Sequence, residues 1–464
     1  MSFFTRNKSY FKYIFTLFLF IMSITGTQAQ TNNQQPLDKY KAESLKIIFY
    51  AMKNTEPYDR IAYMCDTYGP RLSGSKSLNE AIEWIYKELK KDGFDNVHKE
   101  DVMVPHWVRN NEHCELVEPR KANIPVLALG GSIATPPGGI TAPVLVVHSY
   151  EELDQKASEA KGKIVVYNKP WLGYGDAVQF RVTGAIRASK CGAVASLIRS
   201  ASPIGMRNPH TGVMVYNDSV PKIPHAAITA EDAAMLERMS SRGQNPIVHL
   251  YLEAKTLPDT LSYNVMGEIR GTEKPDEIIS VGGHIDSWDV GTGAQDDASG
   301  IFTTWSAVKL LKEIGLIPKR TIRFVAWVNE ENGSKGGEAY AKKHKDEKHS
   351  LLFEFDSGVF PPSSINYGGD DSILKYLQSF EPLFTQIDDS IKISKGGWGV
   401  DISALAKQNN VPVMSLGTGI SDKESKYFWY HHSPADTVDK IDPKEFNKCI
   451  AAIALALYIY ADMP

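Results

Sequence analysis

The sequence predicts an α/β protein with a distinct β-rich middle, and three observations carry that reading. Beyond about residue 256, short apolar β-type runs alternate with helix-period runs, the pattern of a sheet covered by helices. Between about 125 and 255 the texture changes to short β-rich runs broken by Gly and Pro. The 464 residues exceed the size at which a single core usually stops growing, so about two units are expected, one nested in the other. A hydrophobic fraction of 42% with 23% charged residues is that of a folded chain and excludes disorder as the theme.

The first 29 residues read as an address. Arg6, Lys8 and Lys12 precede an apolar run, Tyr13 to Met22, and Thr27-Gln28-Ala29 resembles a small-residue cleavage site. The run is too short for a span of about 20 residues, and no cysteine follows it for lipid attachment, so no membrane anchor is expected after removal. The expectation is an exported protein, periplasmic or secreted. Losing those three cations would take the formal net charge from −4 to −7. With no long basic run and no alternation of basic and aromatic residues, nucleic acid is excluded as a partner. Cys65, Cys114, Cys191 and Cys449 are widely spaced, and spacing alone assigns no disulfide.

After a polar stretch, Leu37 to Asn54 reads as a helix. A Gly69-Pro70 turn leads through Arg71-Leu72-Ser73-Gly74-Ser75 into a second, where Leu78, Ile82, Ile85 and Leu89 recur at helical spacing. In the middle region Ala142 to His148, Lys163 to Asn168 and Val194 to Arg199 read as strands. Tyr150 to Ala160 and Gly184 to Cys191 read as helices. His148, His210, His225 and His249 read as surface or core histidines, which makes the region a non-catalytic module. Later, Glu277 to Gly283, Thr321 to Val328, Leu351 to Phe355 and Val411 to Leu416 read as strands. Ser299 to Ile314, Ser334 to His344, Ser372 to Phe384 and Ser403 to Gln408 read as helices. Phe446, Ile450, Ile453, Leu457 and Tyr460 mark a firmly packed final helix.

Chemistry-bearing residues gather where apolar strands end. Val281 to Gly300, VGGHIDSWDVGTGAQDDASG, ends a strand in His284 and Asp286, then places Asp296 beside Asp297 after a glycine-bearing loop. Imidazole and carboxylate together suit zinc, though a solvated acidic turn would look the same in isolation. Three more segments repeat the logic: Glu330-Glu331 after Trp327-Val328, Asp356 after Phe353-Glu354-Phe355, and His431-His432 in Tyr430 to Thr437. In open α/β sheets ligands collect outside the carboxyl ends of strands, so the four are expected in one crevice. A two-metal hydrolytic site needs a bridging ligand, terminal ligands for each ion and a free carboxylate, and these segments supply all of them. A serine hydrolase is disfavoured because no G-x-S-x-G occurs; Gly130-Gly131-Ser132 runs on to Ala134 where the second glycine should be.

HIDSWDVGTGAQDD, the Glu-Glu pair, FDSG and HHSPADT together resemble the dinuclear zinc exopeptidases, the family that includes bacterial leucyl aminopeptidase and plasma glutamate carboxypeptidase. The resemblance covers nearly the whole chain after residue 29 and is closest to the plasma carboxypeptidase branch. It implies a three-layer α/β/α fold with a mixed central sheet, formed by residues 30–124 and 256–464. By texture and position it implies a protease-associated module over 125–255. It also implies two zinc ions per chain: His284 and Asp356 on one, Glu331 and His432 on the other, and Asp296 bridging. His432 is chosen over His431 because it alone fits the His-x-x-x-Asp-Thr spacing. Glu330 would be the general base and Asp286 a carboxylate partner orienting His284. Asp297 would position backbone across a cis peptide to Asp296, and Asp289 receives no role. Short peptides are the implied substrates, cleaved by a dipeptidase or carboxypeptidase, with an aminopeptidase on longer peptides as the alternative, and a homodimer is implied. A non-catalytic binding module on the same fold would have lost ligands, and here every position is filled. A cyclase-like relative would work with one zinc.

Overall fold

The computed structural model describes residues 37–419 and 425–464; the expected export signal lies outside them. The main sheet has eight strands: β1 (Asp95–Val108), β2 (Lys255–Ile269), β3 (Lys274–His284), β4 (Arg320–Trp327), β5 (Lys348–Glu354), β6 (Pro362–Gly368), β7 (Lys392–Lys395) and β8 (Val413–Thr418). Their order across the sheet is β1-β2-β4-β3-β5-β8-β6-β7. The four central strands β4, β3, β5 and β8 run parallel, and β1, β2 and β6 join antiparallel, so the sheet is mixed.

Helices Glu56–Tyr68, Lys76–Lys91, Ser299–Glu313 and Pro443–Asp462 contribute to one core with the sheet, where Ile82, Phe302, Trp305, Phe353 and Ile453 are buried. Lys335–Lys343 and Val400–Asn409 cover the opposite face around Trp327, Tyr340 and Leu405. The result is three layers, α/β/α. Central strands buried on both faces carry apolar runs without alternation: every residue of β4 is buried, including Thr321 and Arg323. No helix among the described residues is long and apolar enough to cross a membrane.

Between β1 and β2 the chain forms a second eight-stranded sheet, whose strands run from Glu112 to Leu252, where a module over 125–255 was expected. Helix Tyr174–Lys190 packs on it, starting ten residues ahead of the expected Gly184. The long strands β1 and β2 carry no clean apolar alternation: β1 buries only Glu100, Val102, Val104 and Trp107, while Met103 of β1 and Leu261 of β2 are exposed. Two expected helices are each divided. Lys156 separates Tyr150–Gln155 from Ala157–Ala160, and Pro382 opens a new helix, Glu381–Phe384, after Asp371–Gln378 has ended. The four cysteines are free thiols, three of them buried.

Candidate metal centre

Three of the four expected segments leave the carboxyl ends of adjacent parallel strands. His284 closes β3 and lies in register with Trp327, the end of β4, two residues before Asn329-Glu330-Glu331. Gly282 of β3 is in register with Glu354, the end of β5, two residues before Asp356. The fourth segment differs from expectation. Among the described residues no strand delivers His432; Tyr427–Tyr430 is a helical turn, packed through Tyr427 and Phe428 against His431, and the chain then bends so that His432 has φ +60°.

The side chains nonetheless meet. His284 Nε2 stands 3.3 Å from Asp296 Oδ1 and 4.0 Å from Asp356 Oδ1. His432 Nε2 stands 3.0 Å from Glu331 Oε2 and 3.4 Å from Asp296 Oδ2. Asp296 therefore faces one histidine with each carboxylate oxygen. His284, Asp296 and Asp356 can each offer a donor atom to one ion, and so can Asp296, His431 and His432. His431 Nε2 is 3.7 Å from Asp296 Oδ2, but of the two stacked imidazoles only His432 also reaches Glu331.

Carboxylates outnumber cationic groups in this buried crevice, and each raises the cost of ionising the next. Burial pushes Glu330 up to about 8, with Asp356, Asp296 and Asp286 adding to it and His284 opposing. Burial and the charge of Asp296 push Asp356 up to about 6. Glu331 is likewise raised by burial and by Asp296. His432 is held well below the usual histidine range by burial, then by His431 and Arg181. His284 Nε2, Asp296 Oδ2 and Glu331 Oε1 are buried and make no hydrogen bond. Buried polar atoms without partners are rare, and a set of imidazole nitrogen and carboxylate oxygens facing inward fits divalent cations.

The support behind these residues is backbone-directed. His284 Nδ1 meets the main-chain carbonyl of Asp286 at 2.9 Å, while the Asp286 carboxylate stays 3.9 Å away. The expectation that this carboxylate orients His284 is thus corrected. The carboxylate instead accepts the N–H groups of Glu330 (3.1 Å) and Glu331 (3.3 Å), because the tight turn after β4 presents both to it. Asp297 accepts from the N–H of His284 (3.1 Å) and of Gly300 (2.9 Å), as a backbone-positioning residue should. Gly300 is required by that approach, since a Cβ there would lie 1.9 Å from the Phe355 carbonyl and 2.2 Å from Asp297 Oδ1. The Asp296–Asp297 peptide is cis, as the resemblance implied.

Sequence reasoning gave no role to several residues that build the site. Asp436 accepts from the N–H of Gln295 (2.7 Å) and of Asp296 (3.1 Å), and Tyr427 Oη donates to Asp356 Oδ1 at 3.0 Å. Arg71 is fully buried and donates to the carbonyls of Ile285, Gly69, Thr292 and Gly293. Asp289 pairs with Arg109 beyond β1, at 2.8 Å to Nε and 2.5 Å to Nη2. The only sequence signal for Asp436 was its place in HHSPADT. For Arg71 and Asp289 there was none, because their partners are distant in the chain.

The peptidase family M28 model matches residues 264–457. Carboxypeptidase Q of Mus musculus is 46% identical over 421 residues, covering 90% of this chain and 88% of that protein. The crystal structure of a peptidase M28 precursor from Shewanella amazonensis SB2B matches with a TM-score of 0.87 at 34% identity, covering 92% of this chain and 97% of that one. A zinc aminopeptidase from Bacillus subtilis shares the fold at 21% identity, with a TM-score of 0.64 over 88% of this chain and 94% of its own. Similarity along nearly the full length, together with the family match across β2 to the last helix, shows that the chain belongs to peptidase family M28.

Proposed function

We propose that this peptidase is an exported dinuclear zinc exopeptidase acting on short peptides, in the manner of a dipeptidase or carboxypeptidase. One observation carries the two-metal reading: Asp296 lies between His284 at 3.3 Å and His432 at 3.4 Å, one carboxylate oxygen towards each. His284 and Asp356 would hold one ion, Glu331 and His432 the other, with Asp296 shared. Bound zinc supplies Lewis acidity and a water whose pKa is lowered towards about 7. Glu330, unligated and beside that pair of sites, takes the proton from the attacking water and returns it to the leaving amine. Asp286 holds the Glu330–Glu331 turn by two backbone hydrogen bonds and so fixes base and ligand together. Asp436 and Asp297 hold the backbone on either side of Asp296. The second sheet is read as a protease-associated module.

The test is metal content measured with a peptide panel. Two zinc ions per chain and turnover of a free dipeptide are expected. One zinc, or none, would overturn the dinuclear assignment. Faster cleavage of an aminoacyl amide or an N-terminal residue of a longer peptide would make the enzyme an aminopeptidase, the activity carried in the name of the Bacillus subtilis structure.

A further inference from the structure

Arg181, in the helix Tyr174–Lys190 on the second sheet, is only 5% exposed, yet no carboxylate lies within ion-pair distance of it among the described residues. Its Nη1 is 3.2 Å from His432 Nδ1, its guanidinium carbon lies 5.5 Å from the centre of the Tyr174 ring, and its buried Nε makes no hydrogen bond. Arg71 shows the contrast: it too has no acid within ion-pair distance among the described residues, but it spends its donors on four carbonyls. A buried cation without an anion is costly, and a guanidinium matches a carboxylate in shape and charge.

The guanidinium is also fixed in place. A Cβ on Gly212 would lie 2.3 Å from Nη1 and 2.7 Å from Nε, so the backbone packs directly against that side of it. The preceding residues fasten to the His432 loop. Asn208 Nδ2 donates to Ser433 Oγ (2.8 Å), His210 Nδ1 meets the His431 carbonyl (2.7 Å), and Thr211 N–H donates to the His432 carbonyl (2.8 Å). His432 turns Nε2 towards Glu331 and Nδ1 towards Arg181, so one imidazole ring separates the cation from the metal centre. Consecutive Cα atoms are about 3.8 Å apart, which puts the terminal carboxylate of a single departing amino acid at a comparable distance from the scissile bond.

We propose that Arg181 binds the free carboxylate of the departing residue, so that the second sheet selects peptides cut one residue from their C-terminus. This rests on the peptidase reading above. The shared chemistry is a carboxylate, and three substrates on the zinc-loaded full chain distinguish its source: Ala-Leu, Ala-Leu-amide and Ala-Glu-amide. The wild type should favour Ala-Leu over Ala-Leu-amide, and Arg181→Gln should shrink that preference by about 30- to 100-fold, chiefly through KM, the cost of removing one partner of a buried charged pair. Arg181→Lys should restore part of it. A fall of both substrates in step would mean that Arg181 merely supports His432, and no fall would mean that it binds nothing; either overturns the proposal. Cleavage of Ala-Glu-amide as fast as Ala-Leu, lost in Arg181→Gln, would move the site to side-chain carboxylates and overturn the terminal assignment.

A binding arm is independent of turnover. Calorimetric titration of the metal-free wild type should show saturable binding of L-leucine and none of L-leucinamide, with Arg181→Gln abolishing the former. Equal binding of the two by the wild type overturns the proposal even where the variant fails to fold. If zinc-loaded protein cleaves no peptide while leucine binding follows Arg181, the peptidase reading fails and the carboxylate site stands.

Discussion

Glu330 and Asp296 are acids in one buried crevice, and the proposed function gives them different roles. Asp296 offers an oxygen to each histidine, so Asp296→Ala should lower occupancy at both metal positions together, read as zinc per chain after dialysis. Full occupancy in that variant would show that Asp296 does not bridge. Glu330 pairs with neither histidine, and Glu330→Gln should keep both ions while turnover falls by about 10²–10⁴-fold, the usual worth of a general base. Near-normal kinetics, or a lost ion, would remove Glu330 from that role. Asp286 belongs with them by position, yet its carboxylate serves the turn that carries Glu330 and Glu331.

At the scale of elements, the loop from Ile285 to Gly293 is held to the segment before helix Lys76–Lys91 by Arg71. Replacing Arg71 by Met leaves the carbonyls of Ile285, Gly69, Thr292 and Gly293 short of a donor in a buried place, so destabilisation of at least about 3 kcal/mol is expected in denaturant unfolding. A cost under about 1 kcal/mol would show that the loop is held elsewhere. A second junction ties helix Lys335–Lys343 to β1 through His344, whose Nε2 is 3.1 Å from Glu100 Oε2 and whose Nδ1 is 3.1 Å from Glu347 Oε2. Burial opposes the charge on His344, but Glu100 and Glu347 outweigh it and raise its pKa above the ordinary value. A group raised in this way stabilises the fold fully below its unfolded pKa of about 6.5 and loses that contribution as pH rises through the folded value. Glu347, held down to about 2 by His344 and Arg323 against burial, contributes above its ordinary range and loses the contribution as pH falls towards 2. The ion cluster should therefore help most between about pH 4.5 and 6.5. His344→Gln should flatten the fall in melting temperature above pH 6.5, and an unchanged slope would remove His344 from the cluster.

For the whole molecule, the two sheets are joined at the candidate metal centre itself. The loop around His432 receives hydrogen bonds from Asn208 and Thr211, in the loop between strands Ala195–Arg199 and His225–Ile228 of the second sheet, and Arg109, just beyond β1, reaches Asp289 in the loop after β3. Ions bound there should stabilise both parts as one, because a ligand that binds only the folded state adds about 2.7 kcal/mol at a hundredfold excess over Kd. Zinc added to metal-free protein should raise one cooperative melting transition. Two transitions, only one of them zinc-dependent, would show that the sheets unfold separately.

Local chemistry was legible in the sequence. Helix-period and β-type runs marked the central strands β3, β4, β5 and β8 and the helices between them, since burial on both faces forces uninterrupted apolar segments. The residue types of four segments marked His284, Asp296, Glu330, Glu331, Asp356 and His432 as neighbours, and the resemblance supplied their division into ligand sets. Tertiary structure decided the rest: that the Asp286 carboxylate holds a turn, that Arg71 and Asp289 have partners at all, and that the second sheet carries Arg181 to the edge of the site. Those contacts join residues more than forty positions apart, from Asp286–Glu330 to Arg181–His432 at 251, and a hydrogen bond leaves no periodicity in the chain that could announce it.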